Sequence, residues 1–258
     1  MIGAILGDII GSVHEFRGTK TKDFPLFVPN SEFTDDTVLT VAVADWLLRG
    51  TDVADVLAEY AKAFPGRGYG SMFSEWIHSA KRAPYNSYGN GSAMRVSAVG
   101  FAAETLDETL GLAARSAAVT HDHPEGIRGA QATAAAVFLA RKGAGKREIQ
   151  RLVASQFGYD LGVPLDDIRP TYRFTELCRL TVPPALIAFL ESVDYEDAIR
   201  NAISLGGDAD TLACITGGIA EAHYGGVPTA LAERARTLLD PRLVDVVDRF
   251  YARYAPAT

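Results

Sequence analysis

Cysteine is scarce: Cys178 and Cys214 are the only two in 258 residues. Two cysteines cannot build a disulfide framework, and the absence of any CxxC pair removes the usual zinc signature. Both stand among apolar residues, Leu177-Cys178 and Ala213-Cys214-Ile215, and read as small core side chains. Long apolar runs are missing too; none approaches the roughly 18 residues that span a bilayer. The apolar start, Met1 to Gly7, has no basic region and meets Asp8 at once, unlike a secretory signal. A basic excess is also missing. Twenty-five Lys and Arg face 32 Asp and Glu, a net charge of −7, which argues against broad binding to a nucleic-acid backbone. A single anionic ligand gripped by backbone amides stays compatible with that balance. These absences lead us to expect a soluble, cytoplasmic protein, monomeric, with neither a membrane nor a nucleic-acid polymer as partner.

What is present is helical patterning. A hydrophobic content of 48% against 22% charge supports a sizeable core. Residues 38–48 place apolar side chains at helical spacing after a Thr/Asp start, an N-cap signature. Residues 53–64 repeat it, with Val53, Val56, Leu57, Tyr60 and Phe64 on one stripe. Further helices are expected over 71–80, 106–119, 126–141, 146–156, 185–191, 196–205, 211–223, 229–239 and 244–254. Alternating strands are absent, and the Ala-rich stretch 130–136 favours closely packed helices. Breaker-rich stretches at 17–31, 65–70, 83–91, 157–170 and 181–184 read as loops, none long enough for an interdomain linker. The expected fold is all-α: a single compact multi-helical domain over residues 1–258, with the chemistry on its loops.

Two acidic clusters each precede an apolar helix: Thr34-Asp35-Asp36-Thr37 and Gly206-Gly207-Asp208-Ala209-Asp210-Thr211. Taken singly, each is accounted for by helix capping. On a regular helix, however, Asp208 and Asp210 would point to nearly opposite sides. Serving one site requires a turn, which Gly206-Gly207 permits. Folded together, the clusters would crowd four carboxylates and several hydroxyls, an expensive arrangement without a divalent cation. All-oxygen ligation suits Mg²⁺, Mn²⁺ or Ca²⁺ and not zinc. The DxDT string also occurs in haloacid-dehalogenase-type phosphatases, but there it follows a buried strand of an α/β fold. Here it follows a helical stretch late in the chain.

Gly3, Gly7, Gly11 and Glu15 recur every four residues, which puts them on one helical face. The glycines would allow a close approach, and Glu15 at the end becomes a candidate acid/base or electrostatic group. Asp8 reads as a structural hydrogen-bonding partner. The loop Asn86-Ser87-Tyr88-Gly89-Asn90-Gly91-Ser92-Ala93-Met94-Arg95 exposes backbone N–H groups ahead of a helix, a cradle for a diphosphate. It lacks the Walker pattern. Thr120-His121-Asp122-His123-Pro124 has no third nitrogen or sulfur ligand nearby, so its histidines read as structural or ligand-stacking groups.

These elements, in this order and over nearly the whole length, resemble the ADP-ribosylglycohydrolase (DraG-like) family. The resemblance implies an all-helical fold with two divalent metal ions, Mg²⁺ or Mn²⁺, in a cleft. It implies Thr34, Asp35, Asp36, Asp208, Asp210 and Thr211 as metal ligands, with Glu15, Asp35 and Asp210 as catalytic carboxylates. Ser87, Tyr88, Gly89, Asn90 and Gly91 match the loop around the diphosphate and distal ribose, and His121 matches a position beside the adenosine half. The implied reaction is metal-dependent hydrolysis of the glycosidic bond between ADP-ribose and an acceptor, a modified protein side chain or O-acetyl-ADP-ribose. Ser87 stands where the arginine-specific branch often has Asp, so the loop looks closer to the O-linked branch. Two rivals remain at this point: a non-catalytic ADP-ribose or nucleotide-binding module, and a metal-dependent phosphoesterase. Acceptor contacts are expected from the 17–31 and 157–170 loops.

Overall fold

The glycine stripe at the N-terminus decides how the first helix packs. A side chain at Gly7 would fall inside the backbone of Ala213, and one at Gly11 would lie 2.5 Å from the Asp210 Cα. Two helices therefore meet there at backbone distance: α1 (Ile2–Gly11) and, near the end of the chain, Ala209–Tyr224. The computed structural model describes residues 1–254, so the expected domain limit at 258 lies outside the described residues.

Fifteen helical segments occur among the described residues. After α1 come α2 (Asp35–Arg49), α3 (Val53–Ala63), α4 (Ser71–His78), α5 (Gly91–Met94), α6 (Ser97–Ala102) and α7 (Leu106–Ala118). The second half holds α8 (Pro124–Arg141), α9 (Lys146–Phe157), α10 (Leu165–Ile168), α11 (Cys178–Leu190) and α12 (Tyr195–Ile203). It closes with α13 (Ala209–Tyr224), α14 (Thr229–Leu238) and α15 (Pro241–Tyr254). No strand forms among the described residues; one isolated antiparallel bridge joins Gly89 to Leu177. None of these helices is long and apolar enough to cross a membrane.

Local chemistry explains most boundaries. Asp52 caps α3 by accepting from the Ala54 and Asp55 amides, and Asp194 caps α12 through Asp197. Left-handed Gly50, Gly158 and Gly225 end α2, α9 and α13. One hydrophobic core runs through the bundle, with α1 and α13 buried at its centre and Val38, Val41, Ile149, Leu186 and Phe189 among its side chains.

Three expectations are corrected. The helical face expected to run from Gly3 to Glu15 stops at Gly11, and residues 12–17 form a turn. There Ser12 Oγ donates back to the Ile9 carbonyl, and the polar residues that follow leave the core. The breaker stretch 181–184 lies inside α11, which begins at Cys178 rather than 185. Pro184 removes the amide that would bond the Leu180 carbonyl, and the Tyr172 hydroxyl donates to that carbonyl instead, at 3.0 Å. The short helices α5, α6 and α10 fall in stretches read as loop or left unassigned; four to six residues are too few for periodicity to register.

Candidate active site

The cleft is built around Asp8. Its carboxylate is fully buried on α1 and accepts from the Thr34 amide (2.9 Å), the Thr34 hydroxyl (2.7 Å) and the Thr37 amide (3.0 Å). One carboxylate thus fixes the start of α2 against α1. Thr34 also caps α2, accepting weakly from the Asp36 amide at 3.3 Å, so the capping role and a site role coincide. Asp35 and Asp36, in the first helical turn, are both turned toward the cleft.

The second cluster arrives through the Gly206-Gly207 turn, where both residues have positive φ, 67° and 75°. Asp208 is the residue before α13 and non-helical, whereas Asp210 is already in the helix, so the two carboxylates face one cleft. Asp208 accepts from the Asn90 side-chain amide at 2.7 Å. Asp210 accepts from the Thr211 amide at 3.0 Å, and the Thr211 hydroxyl donates to Asp36 at 3.2 Å. The two clusters are joined directly by that last bond, between residues 175 positions apart.

Two triplets of carboxylate oxygens come within 4.8 Å of one another: Asp8, Asp36 and Asp210, and Glu15, Asp208 and Asp210. Asp210 belongs to both. Burial, then the neighbouring negative charges, push Asp35, Asp36 and Asp210 well above the usual carboxylate range. Glu15, half-buried in the turn after α1, is raised to about 7 by burial and by Asp208, Asp8 and Glu176. No Lys or Arg contributes to holding these groups down. Asp36 Oδ1 is buried without a hydrogen-bond partner. An all-oxygen donor set, an orphaned carboxylate oxygen and crowded negative charge fit hard divalent cations.

The glycine loop forms the neighbouring wall. It is pinned to the segment before α11 by the Asn90 amide donating to Glu176 (2.7 Å) and the Cys178 amide donating to Tyr88 (3.1 Å). Ser87, Gly89, Asn90, Gly91 and His121 line the cleft with Glu15, Thr34, Asp35, Asp36, Asp208, Asp210 and Thr211. Tyr88 does not: its side chain is half-exposed, and its ring meets His123 edge-on at 5.3 Å.

Several lining residues carried no sequence signal. Arg67, Gly68, Gly70, Ser71, Met72 and Phe73 also line the cleft, and Phe174 and Glu176 come from the 169–177 segment. Asp8 was visible only as a structural partner, because its spacing from Asp36 and Asp210 is set by helix packing. Arg95 stood within the loop motif, yet its burial could not be read there.

The comparisons agree with this geometry. A family model described as ADP-ribosylglycohydrolase matches residues 1–257. ADP-ribosylhydrolase ARH3 of Homo sapiens is 29% identical over 306 residues, covering 87% of this chain and 84% of its own. ADP-ribosylarginine hydrolase Tri1 of Pseudomonas putida (strain GB-1) is 25% identical, covering 91% of this chain and 72% of its own. A solved ADP-ribosylglycohydrolase-related protein complex shares the fold with a TM-score of 0.71 at 24% identity, over 98% of this chain and 97% of that one. The chain belongs to the ADP-ribosylglycohydrolase family and is a hydrolase of ADP-ribose glycosidic bonds.

Proposed function

We propose that the chain releases ADP-ribose from O-linked conjugates, a modified protein side chain or O-acetyl-ADP-ribose, in a reaction that depends on two divalent ions, Mg²⁺ or Mn²⁺. The observation that carries this reading is the convergence of Glu15, Asp35, Asp36, Asp208 and Asp210 on one cleft with Asp8 buried behind them. Arg67 and Arg95 also line it, but Arg67 pairs with Glu32, and Arg95 donates to Ser116 and Thr120 rather than to these carboxylates. Thr34, Asp35, Asp36, Asp208, Asp210 and Thr211 would hold the ions, with Asp8 beside them and Asp210 shared between the two positions. When bound, the ions would supply positive charge and Lewis acidity toward water and the ribose hydroxyls.

The protein's own groups account for the rest. Amides of residues 87–91 anchor the diphosphate, converting remote binding energy into orientation of the anomeric carbon. The C1″–O bond breaks through an oxocarbenium-like transition state. Glu15 gives a proton to the leaving oxygen and recovers one from the attacking water, whose oxygen ends on C1″. In the metal-free chain, burial and the neighbouring carboxylates raise this group to about 7. Asp35 and Asp210 act as catalytic carboxylates by fixing the charge around the ribose. The O-linked preference rests on Ser87 and on the likeness to ADP-ribosylhydrolase ARH3. An arginine linkage is the competing reading, favoured by the likeness to the ADP-ribosylarginine hydrolase.

A product assay separates these readings. Serine-linked, arginine-linked and O-acetyl ADP-ribose are supplied with Mg²⁺ or Mn²⁺, or with EDTA. Free ADP-ribose from the O-linked substrates, abolished by EDTA, is expected. Release of AMP plus ribose phosphate would show a phosphoesterase, and binding without turnover a non-catalytic module.

A further inference from the structure

Arg95 follows α5 and is fully buried, yet no carboxylate neutralises it. Burial lowers it to about 10, so it is still cationic at neutral pH. Its Nη2 donates to the Ser116 carbonyl near the end of α7 (2.6 Å) and to the Thr120 hydroxyl (2.9 Å). Guanidinium is only a donor, so Thr120 Oγ1 must accept there and keeps one proton to give. Two acceptors meet that hydroxyl with hydrogen-bond geometry: His121 Nδ1 at 2.8 Å, and the Ala117 carbonyl at 3.5 Å. The first is the better hydrogen bond by a wide margin.

An accepting Nδ1 leaves the imidazole proton on Nε2. That nitrogen lies on the cleft side: a side chain at Gly91 would come 3.2 Å from it, and one at Gly89 3.6 Å. His121 is only 6% exposed, and its Nε2 has no hydrogen-bond partner among the described residues. Burial and then the Arg95 charge lower His121 well below the usual imidazole range, so a second proton on the ring is disfavoured.

We propose that Arg95 and Thr120 are positioning residues that fix His121 as its Nε2–H tautomer and aim that N–H at a diphosphate oxygen of the substrate. This rests on the proposed placement of the diphosphate against residues 87–91. Arg95 is a buried cation behind the glycine loop, with no carboxylate paired to it among the described residues. An ADP-ribosyl group, with a diphosphate at one end and a ribose needing cations at the other, matches a cleft with this cation behind the glycine loop and with the carboxylate cluster.

The test uses the full ¹⁵N-labelled chain and free ADP-ribose. Two-bond ¹H–¹⁵N correlations assign the imidazole tautomers of the five histidines, and a His121→Gln variant identifies the signals of His121. The wild type should carry the proton on Nε2. Thr120→Val should release the tautomer and raise the Kd for ADP-ribose about tenfold, the loss of one hydrogen bond to a charged group. Thr120→Ser should restore both, and the Mg²⁺-induced rise in Tm should be the same in all three proteins. A wild-type proton on Nδ1, which needs no variant to observe, overturns the proposal. So does wild-type affinity in a Thr120→Val protein whose tautomer has changed. A wild type that binds no ADP-ribose would overturn the substrate reading, while the tautomer still decides the relay.

Discussion

Replacing Asp210 by Asn should stabilise the metal-free protein and deprive it of its response to metal. Asp210 is 4% exposed and has oxygens within 4.8 Å of Asp8 and Asp36 on one side and of Glu15 and Asp208 on the other. At that distance and an effective dielectric constant near 20, two full charges repel by roughly 3 kcal/mol. Burial and then repulsion raise these carboxyls, so the repulsion between two full charges is an upper bound. The relief expected from removing one charge is therefore about 1–3 kcal/mol. The amide oxygen can still accept from the Thr211 N–H, which limits the polar cost. For a chain of this size, that corresponds to a Tm rise of roughly 2–10 °C in EDTA. With Mg²⁺ at a hundred times Kd, the wild type should gain about 2.7 kcal/mol, or roughly 5–10 °C. The Asn variant should lose most of that gain and its turnover, because both candidate ion positions share this residue. Thermal melts by circular dichroism, with EDTA and along a Mg²⁺ series, read both effects. A variant that melts no higher than wild type in EDTA, yet keeps the full Mg²⁺ shift and activity, would refute the shared-ligand assignment.

The same crowding fixes a pH dependence for the metal-free chain. Glu15, Asp35, Asp36 and Asp210 are all raised on folding, so their contribution to stability is complete below their unfolded values, near 4, and is lost as pH rises through the folded ones, about 7 for Glu15. The Tm in EDTA should fall between pH 5 and 8 and flatten with saturating Mg²⁺; a rise over that range in EDTA would contradict this. Glu15→Gln should lower kcat by roughly 10²–10⁴ and keep part of the Mg²⁺ shift in Tm, since the Asp8, Asp36 and Asp210 position is left intact, and wild-type turnover would remove Glu15 from the mechanism. Gly7→Ala would drive a methyl into the Ala213 backbone and should cost about 1–3 kcal/mol or more. Because it moves α1 from α13, it should weaken the metal response as well; an unchanged melting curve would show that the helices do not depend on this approach.

Much of the molecule was legible because its signals are local. Helical periodicity, Ala-rich stretches and capping residues placed most helices, since each depends on neighbours three or four residues apart. The Asp/Thr clusters declared oxygen chemistry for a similar reason: Asp208 and Asp210 can serve one site only if the chain turns there, which Gly206-Gly207 just before them permits. The tertiary structure decided what depends on distance across the fold. The glycines of α1 announced a close approach but not its partner. Only the packing shows that α13 is that partner, which places Asp8 beside Asp36 and Asp210. The rim from residues 67–73, Phe174 and Glu176, the outward turn of Tyr88, and the path from Arg95 through Thr120 to His121 belong to the same class. Their neighbours are brought together by core burial rather than by sequence spacing. Residue types and local order fixed what chemistry the chain could carry, and the meeting of α1, α2 and α13 fixed where its carboxylates converge.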